Sequence, residues 1–184
     1  MKGMSKLKIG LVRHYKVVKG FPKGLSLTAN ELNQWFEEYN ASDIEIGNAD
    51  ISEIPWDICY SSDLFRAKKT AEYIYDGNII FSSELRELKP PLFKGNMKLP
   101  FFMWVIIARI RGLFDPIVKA EIKEGKKRVA SFFDQNISQH QNVLIVGHGG
   151  MMMYMRKELL KRGYKGPSFT IPKNGEIYIF EKEH

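Results

Sequence analysis

Residues 8–20, KIGLVRHYKVVKG, open as an apolar run and end it on two nitrogen-rich side chains: Ile9 to Val12 read as a buried strand, and Arg13 and His14 stand where it stops. Residues 141–150, QNVLIVGHGG, repeat the arrangement, with Val143 to Val146 passing through Gly147 into His148 and a Gly-rich turn behind it. Short continuous apolar runs suit strands covered on both faces, as in a parallel sheet packed between helices. In an open sheet of that kind the carboxyl ends of the strands line one crevice, and ligands bind there. The strands therefore deliver both histidines to the same crevice.

The segments around these runs alternate between helix and strand. LTANELNQWFEEYN (27–40) reads as a helix with a capping box, Thr28 with Glu31, and a hydrophobic staple, Leu27 with Leu32. Its Leu32, Trp35, Phe36 and Tyr39 share one face, which we assign to the core. DICYS (57–61) reads as a second strand feeding the helix SDLFRAKKTAEYIY (62–75), and NIIFS (78–82) as a third strand. A Pro/Gly-punctuated stretch from Lys89 to Pro116 follows, then an amphipathic helix around KEGKKRVASFFDQNI (123–137), the helix MMMYMRKELLKRG (151–163) and a last strand GEIYIFEK (175–182). This order predicts an α/β fold, a three-layer α/β/α sandwich around a mostly parallel central sheet. With no internal repeat and no dividing linker, residues 1–184 read as one domain.

Composition narrows the function. The 184 residues are 44% hydrophobic, enough for a sizeable core, and the one cysteine, Cys59, excludes an internal disulfide framework and reads as core filler in a reducing compartment. The segment MKGMSKLKIG carries no apolar run of signal-peptide length, and no window approaches the roughly 20 apolar residues of a membrane span. We therefore expect a soluble, cytoplasmic protein without a transmembrane segment. A formal charge of +7 favours anionic partners. Zinc-finger spacing, ribonucleoprotein-type aromatic motifs and an isolated basic arm are all lacking, which argues against nucleic acid as that partner.

A third cation joins the crevice. CYSS ends a strand, and Arg66 falls in the first turn of the helix behind it. Two arginines, two histidines and a helix N-terminus in one place are costly to hold unless an anion neutralises them. A dianionic phosphoryl group suits both the forked guanidinium donors and the free N–H groups of a helix start. Singly, each residue has a plainer reading, as a hydrogen-bonded structural histidine or a surface arginine, but convergence of all of them favours the phosphate pocket. A metal site fits poorly: the chain has four histidines, in no HxH or HExxH arrangement, and neither His14 nor His148 has an adjacent carboxylate.

LVRHYK (11–16) resembles the Arg-His-Gly signature of the histidine phosphatase superfamily, the phosphoglycerate mutase-like fold. YSSDLFRAKKTAEYI (60–74) is similar to its Ser-Ser helix, and VLIVGHGGMM (143–152) to its second histidine motif. LTANELNQ, ELREL and the end IPKNGEIYIFE fall in the matching order, so the likeness spans nearly the whole chain. The resemblance implies that His14 is the nucleophile that forms a phosphohistidine, with Arg13, Arg66 and His148 holding the phosphoryl oxygens and no metal or other cofactor required. It also implies a carboxylate that protonates the leaving oxygen, matched by Glu87, with Glu84 as the weaker candidate. The expected activity is hydrolysis of a phosphomonoester, on a small phosphorylated metabolite or a phosphoprotein. A noncatalytic phospho-ligand-binding member and a phosphoglycerate-type mutase are the alternatives, the latter disfavoured by the short chain.

Two departures stand out. Tyr15 replaces the glycine that follows the nucleophile, and its phenol is a candidate for shaping the pocket or touching substrate. Residues 88–116 occupy the place of the family's substrate cover and are unusually apolar. For Phe101 to Ala108 a core-packed helix is the first expectation, an aromatic-lined lid the second, and a lipid contact flanked by Lys98, Arg109 and Arg111 the third.

Overall fold

The computed structural model describes residues 6–22, 24, 26–137 and 142–183. Residues 1–5, part of the segment read for a leader, and Gln141, which opens the QNVLIVGHGG stretch, lie outside the described residues. In chain order the elements are β1 (Lys6–Arg13), β2 (Lys16–Val17), β3 (Ser26–Leu27), α1 (Ala29–Ala41), β4 (Ile44–Glu45), β5 (Ile58–Ser62), α2 (Phe65–Ile74) and β6 (Ile79–Ser82), with a 3-10 turn at Ser83–Leu85. There follow β7 (Leu99–Pro100), α3 (Phe101–Phe114), α4 (Pro116–Asn136), β8 (Asn142–Gly147), α5 (Gly149–Lys161) and β9 (Ile177–Glu183).

The main sheet runs β6-β5-β8-β1-β9, with β1, β5, β6 and β8 parallel and β9 antiparallel against β1. Alternation along the strands divides the core between two faces. Ile9, Leu11, Ile58, Tyr60, Val143 and Ile145 point to one side, where they meet Phe132 and Phe133 of α4 and Met151, Met155 and Leu159 of α5. Val12, Cys59, Leu144 and Val146 point to the other, against Ala67 and Ala71 of α2. The result is the three-layer α/β/α sandwich expected from the sequence, with β1 and β8 at its centre, in register from Lys8↔Asn142 to Arg13↔Gly147. That register brings the ends of the two histidine-bearing strands level.

Helix α1 starts as the capping box predicts: Thr28 Oγ1 accepts the N–H of Glu31, and the Glu31 carboxylate accepts the N–H of Thr28. Its apolar face packs on a satellite core of Ala29, Leu32, Trp35, Phe93 and Trp104 rather than on the sheet. Helix α3 corrects the first expectation for Phe101–Ala108. Trp104 is its buried residue, whereas Phe102, Val105, Ile106 and Ile110 are exposed. The helix rests on the α1 satellite and on α4, outside the layers, so only one of its faces finds partners. No helix among the described residues is long and apolar enough to cross a membrane.

Candidate active site

His14 follows the last residue of β1, and hydrogen bonds fix its backbone from several elements. Its N–H donates to the Gly147 carbonyl at the end of β8 (2.9 Å), and its carbonyl accepts from Asn174 Nδ2 (2.7 Å). The next N–H, of Tyr15, donates to Thr70 Oγ1 (2.9 Å), whose hydroxyl donates to the Arg66 carbonyl (2.7 Å) within α2. The imidazole is fixed as well. Nδ1 lies 2.6 Å from the Tyr15 carbonyl, an acceptor, so Nδ1 carries the proton. Nε2 accepts from Arg66 Nε–H at 3.2 Å, which leaves it a lone pair and no proton. Burial, followed by the charge of Arg66, lowers the His14 pKa from 6.5 to about 3; the Tyr15 carbonyl opposes the shift and Arg13 adds to it. The ring is therefore neutral at physiological pH.

Arg66, in the first turn of α2, is buried, and burial pulls its pKa down. Its Nη1 donates to Asn40 Oδ1 (2.8 Å), and its guanidinium lies 5.4 Å from the centre of the Tyr39 ring, so the end of α1 aims the fork. Arg13 is tied by Nη1 to the Pro172 carbonyl (2.8 Å), while its Nε is buried without a protein partner. His148 caps α5, with its ring centroid 5.1 Å from that of His14. One nitrogen, Nε2, lies 2.8 Å from Ser62 Oγ at the end of β5, and the other, Nδ1, is buried without a partner. Burial and then the charges of Arg66, His14 and Arg13 hold His148 well below the usual imidazole range.

Most of these groups line a cavity of about 690 Å³. Arg13, His14, Arg66 and Glu87 are on its wall, together with Tyr39, Asn40 and the first residue of α5, Gly149. His148 is not on that wall; it is only 1% exposed and packs beside His14. Of the two carboxylates singled out in the sequence, Glu87 lines the cavity and Glu84 does not. Glu87 reaches the start of α5, where Oε2 accepts the N–H of Gly150 (2.8 Å) and Oε1 that of Met151 (3.1 Å), a charge placed at the favourable end of a helix. The approach needs a bare α-carbon: a Cβ at Gly150 would lie 2.6 Å from Glu87 Oε1. Arg86, also on the wall, is held by a bidentate pair to Asp63 at 2.6 and 2.7 Å. Among the described residues no three His, Cys, Asp or Glu side chains come together in a way that could hold a metal ion.

Tyr15 turns away from the cavity. Its ring is buried over Gly47 and Gly175, where a Cβ would come within 3.0 and 2.8 Å of it, and its hydroxyl accepts the Ala49 N–H (3.1 Å). Gly175 also has φ +69°, a conformation other residues avoid. Two glycines thus make room for the side chain at this position. Sequence reading gave no role to Asn40, Asn174 or Thr70, which aim Arg66 or fix the His14 backbone, nor to Ser62, which meets His148; Ser62, Thr70 and Asn174 nonetheless lie inside the stretches that resemble the family, and Asn40 alone of the four stands outside them.

The family model described as histidine phosphatase superfamily (branch 1) matches residues 45–184; Arg13, His14 and Tyr15 precede the matched stretch. The alpha-ribazole phosphatase from Shigella flexneri superposes with a TM-score of 0.58 at 16% identity, covering 97% of this chain and 95% of that one. A Thermus thermophilus protein gives a TM-score of 0.52 at 21% identity, covering 94% and 92%. These likenesses are of fold. A search of curated proteins found no match.

Proposed function

The chain belongs to the histidine phosphatase superfamily, and we propose that it is a metal-independent phosphomonoester hydrolase working through a phosphohistidine on His14. In this reading residues 1–184 act as one domain, with 88–116 as the substrate cover. One observation carries the proposal: among the described residues, the buried side-chain nitrogens without a partner are Arg13 Nε and His148 Nδ1, and both belong to residues flanking His14. Buried polar nitrogens are normally satisfied. With Ser62 Oγ donating to His148 Nε2, the His148 proton lies on Nδ1, and this N–H and that of Arg13 Nε, left over beside an unprotonated imidazole, suit an anion that takes their hydrogen bonds and offers phosphorus to Nε2 of His14.

The geometry supports these steps. The Tyr15 carbonyl keeps the proton on Nδ1, so the Nε2 lone pair attacks phosphorus while the bond from phosphorus to the ester oxygen breaks. Arg13, Arg66 and His148 spread the charge on the phosphoryl oxygens, the main source of catalysis in such transfers. Arg66 must exchange its hydrogen bond to Nε2 for one to substrate before attack. Glu87, on the cavity wall, must likewise let go of the Gly150 and Met151 N–H groups and take up a proton from water, which it then gives to the departing oxygen. Water then attacks the phosphohistidine and returns a proton to Glu87, and the P–N bond breaks to release phosphate.

Hydrolysis of a phosphomonoester panel, with and without a metal chelator, tests this reading. Activity that survives the chelator is expected. Activity that vanishes with it removes the mechanism, and phosphate binding without turnover would identify a ligand-holding member of the fold.

A further inference from the structure

A second cavity, of about 660 Å³, adjoins the first and shares with it Phe36, Glu87, Leu88, Lys89, Pro90 and Glu121. Beyond that shared wall its lining is mainly hydrocarbon and aromatic, including Leu32, Phe93, Trp104, Val105, Leu113 and Ile122. We propose, resting on the phosphatase reading of the same site, that the substrate is an amphiphilic phosphomonoester whose phosphoryl group sits at His14 and whose hydrocarbon leaving group runs past Glu87 into this second cavity.

The position of Glu87 sets the direction. As the residue that protonates the leaving oxygen, it stands on both walls, so the group attached to that oxygen emerges where the two cavities meet. The lining sets the chemistry. Trp104 Nε1 is committed to the Leu27 carbonyl (3.0 Å), Glu121 accepts the Lys89 N–H (3.2 Å), and both Glu87 oxygens hold α5. Lys89, Arg109 and Tyr154 are the other polar side chains on the wall. A hydroxyl-rich sugar moved here from water would leave most of its hydrogen bonds unreplaced, whereas a hydrocarbon chain gains by burial. The apolar path reaches the surface, since Leu113 lines the cavity and is 64% exposed. The proposal also gives a use to part of the apolar surface of α3, because Val105, Ala108 and Leu113 build this wall, whereas Phe102, Ile106 and Ile110 do not line it.

The test is kcat/KM for n-alkyl phosphates from ethyl to decyl. It should rise about fourfold per methylene while the cavity fills, roughly a hundredfold or more from butyl to octyl. Hydrolysis of ethyl phosphate with no dependence on chain length overturns the inference and leaves the phosphatase reading standing. If no ester is hydrolysed, that reading fails, and dissociation constants of the n-alkylphosphonates decide the inference by the same slope, a flat series overturning it. In Ala108→Trp and Leu113→Asp, each checked by thermal melting, the octyl-to-ethyl ratio should fall at least tenfold. A native ratio in whichever of them remains folded overturns the inference.

Discussion

The Nε–H of Arg66 donates to Nε2 of His14 across 3.2 Å, so the guanidinium covers the lone pair that would attack phosphorus. The same guanidinium bonds Asn40 through Nη1, which leaves it a planar fork aimed from α1 and α2 together. Lysine keeps the charge and loses the fork. Arg66→Lys should therefore weaken inhibition by inorganic phosphate by about tenfold to a hundredfold, the worth of one or two charge-assisted hydrogen bonds. Phosphate binding as tight as native would place Arg66 outside the anion site.

His14→Ala should abolish turnover and keep a cooperative melting transition, because its backbone partners on β8 and α2 do not depend on the side chain. Native protein quenched in alkali after brief exposure to labelled substrate should carry an acid-labile phosphoryl group on His14. A label on serine refutes the assignment.

The lowered histidine pKa values make stability depend on pH. The unfolded chain binds a proton at position 14 below about pH 6.5, whereas the folded chain does not until about 3. Stability is therefore full above that upper value and declines as pH falls toward the lower one, by about 1.4 kcal/mol per pH unit for each such imidazole. His148, shifted the same way, adds to the slope. Urea unfolding between pH 6 and 5, where most carboxylates are still ionised, should show a slope about one proton shallower in His14→Gln than in the native protein. Equal slopes would mean that His14 titrates normally in the fold.

Glu87→Gln separates proton donation from helix capping. An alkoxide needs a proton to leave and a nitrophenolate does not, and a positioned acid is worth about a hundredfold to ten-thousandfold. Single-turnover phosphorylation of His14 should slow far more with an alkyl phosphate than with a nitrophenyl phosphate. Equal losses would reduce Glu87 to its contacts with Gly150 and Met151, and a selective loss in Glu84→Gln would move the acid role there.

Tyr15→Phe removes the acceptor of the Ala49 N–H and nothing from the cavity wall. The expected result is a stability loss of about 1 kcal/mol with KM unchanged across esters. A KM raised for every ester would put the phenol on substrate.

Much of this arrangement was legible in the chain because it depends on local patterns. The apolar runs ending in His14 and His148 fix strand type and crevice, and Thr28 with Glu31 fixes the start of α1. What stayed hidden depends on pairings between distant segments. The two-residue strands β2, β3, β4 and β7 exist only through their partners, as in Lys16↔Glu45 and Ser26↔Pro100. Asn40 and Asn174 look like ordinary polar residues until the fold sets one on Arg66 and the other on the His14 carbonyl. The apolar sequence of α3 could not reveal that Phe102 and Ile110 stay uncovered, because amphipathic contrast is weak where nearly every residue is apolar.

The bare α-carbon of Gly150 has an evolutionary reading. A methyl group there would meet Glu87 Oε1 at 2.6 Å, yet that oxygen is the tip of a flexible side chain, so the backbone could stay put while the carboxylate swung aside. On the proposed reading of Glu87 as the acid, one substitution on α5 would displace that carboxylate without touching position 87, His14 or the arginines. If the proposed mechanism holds, a duplicated copy could thus drift from catalyst to phosphate sensor in a single step, keeping its grip on the anion and losing its turnover.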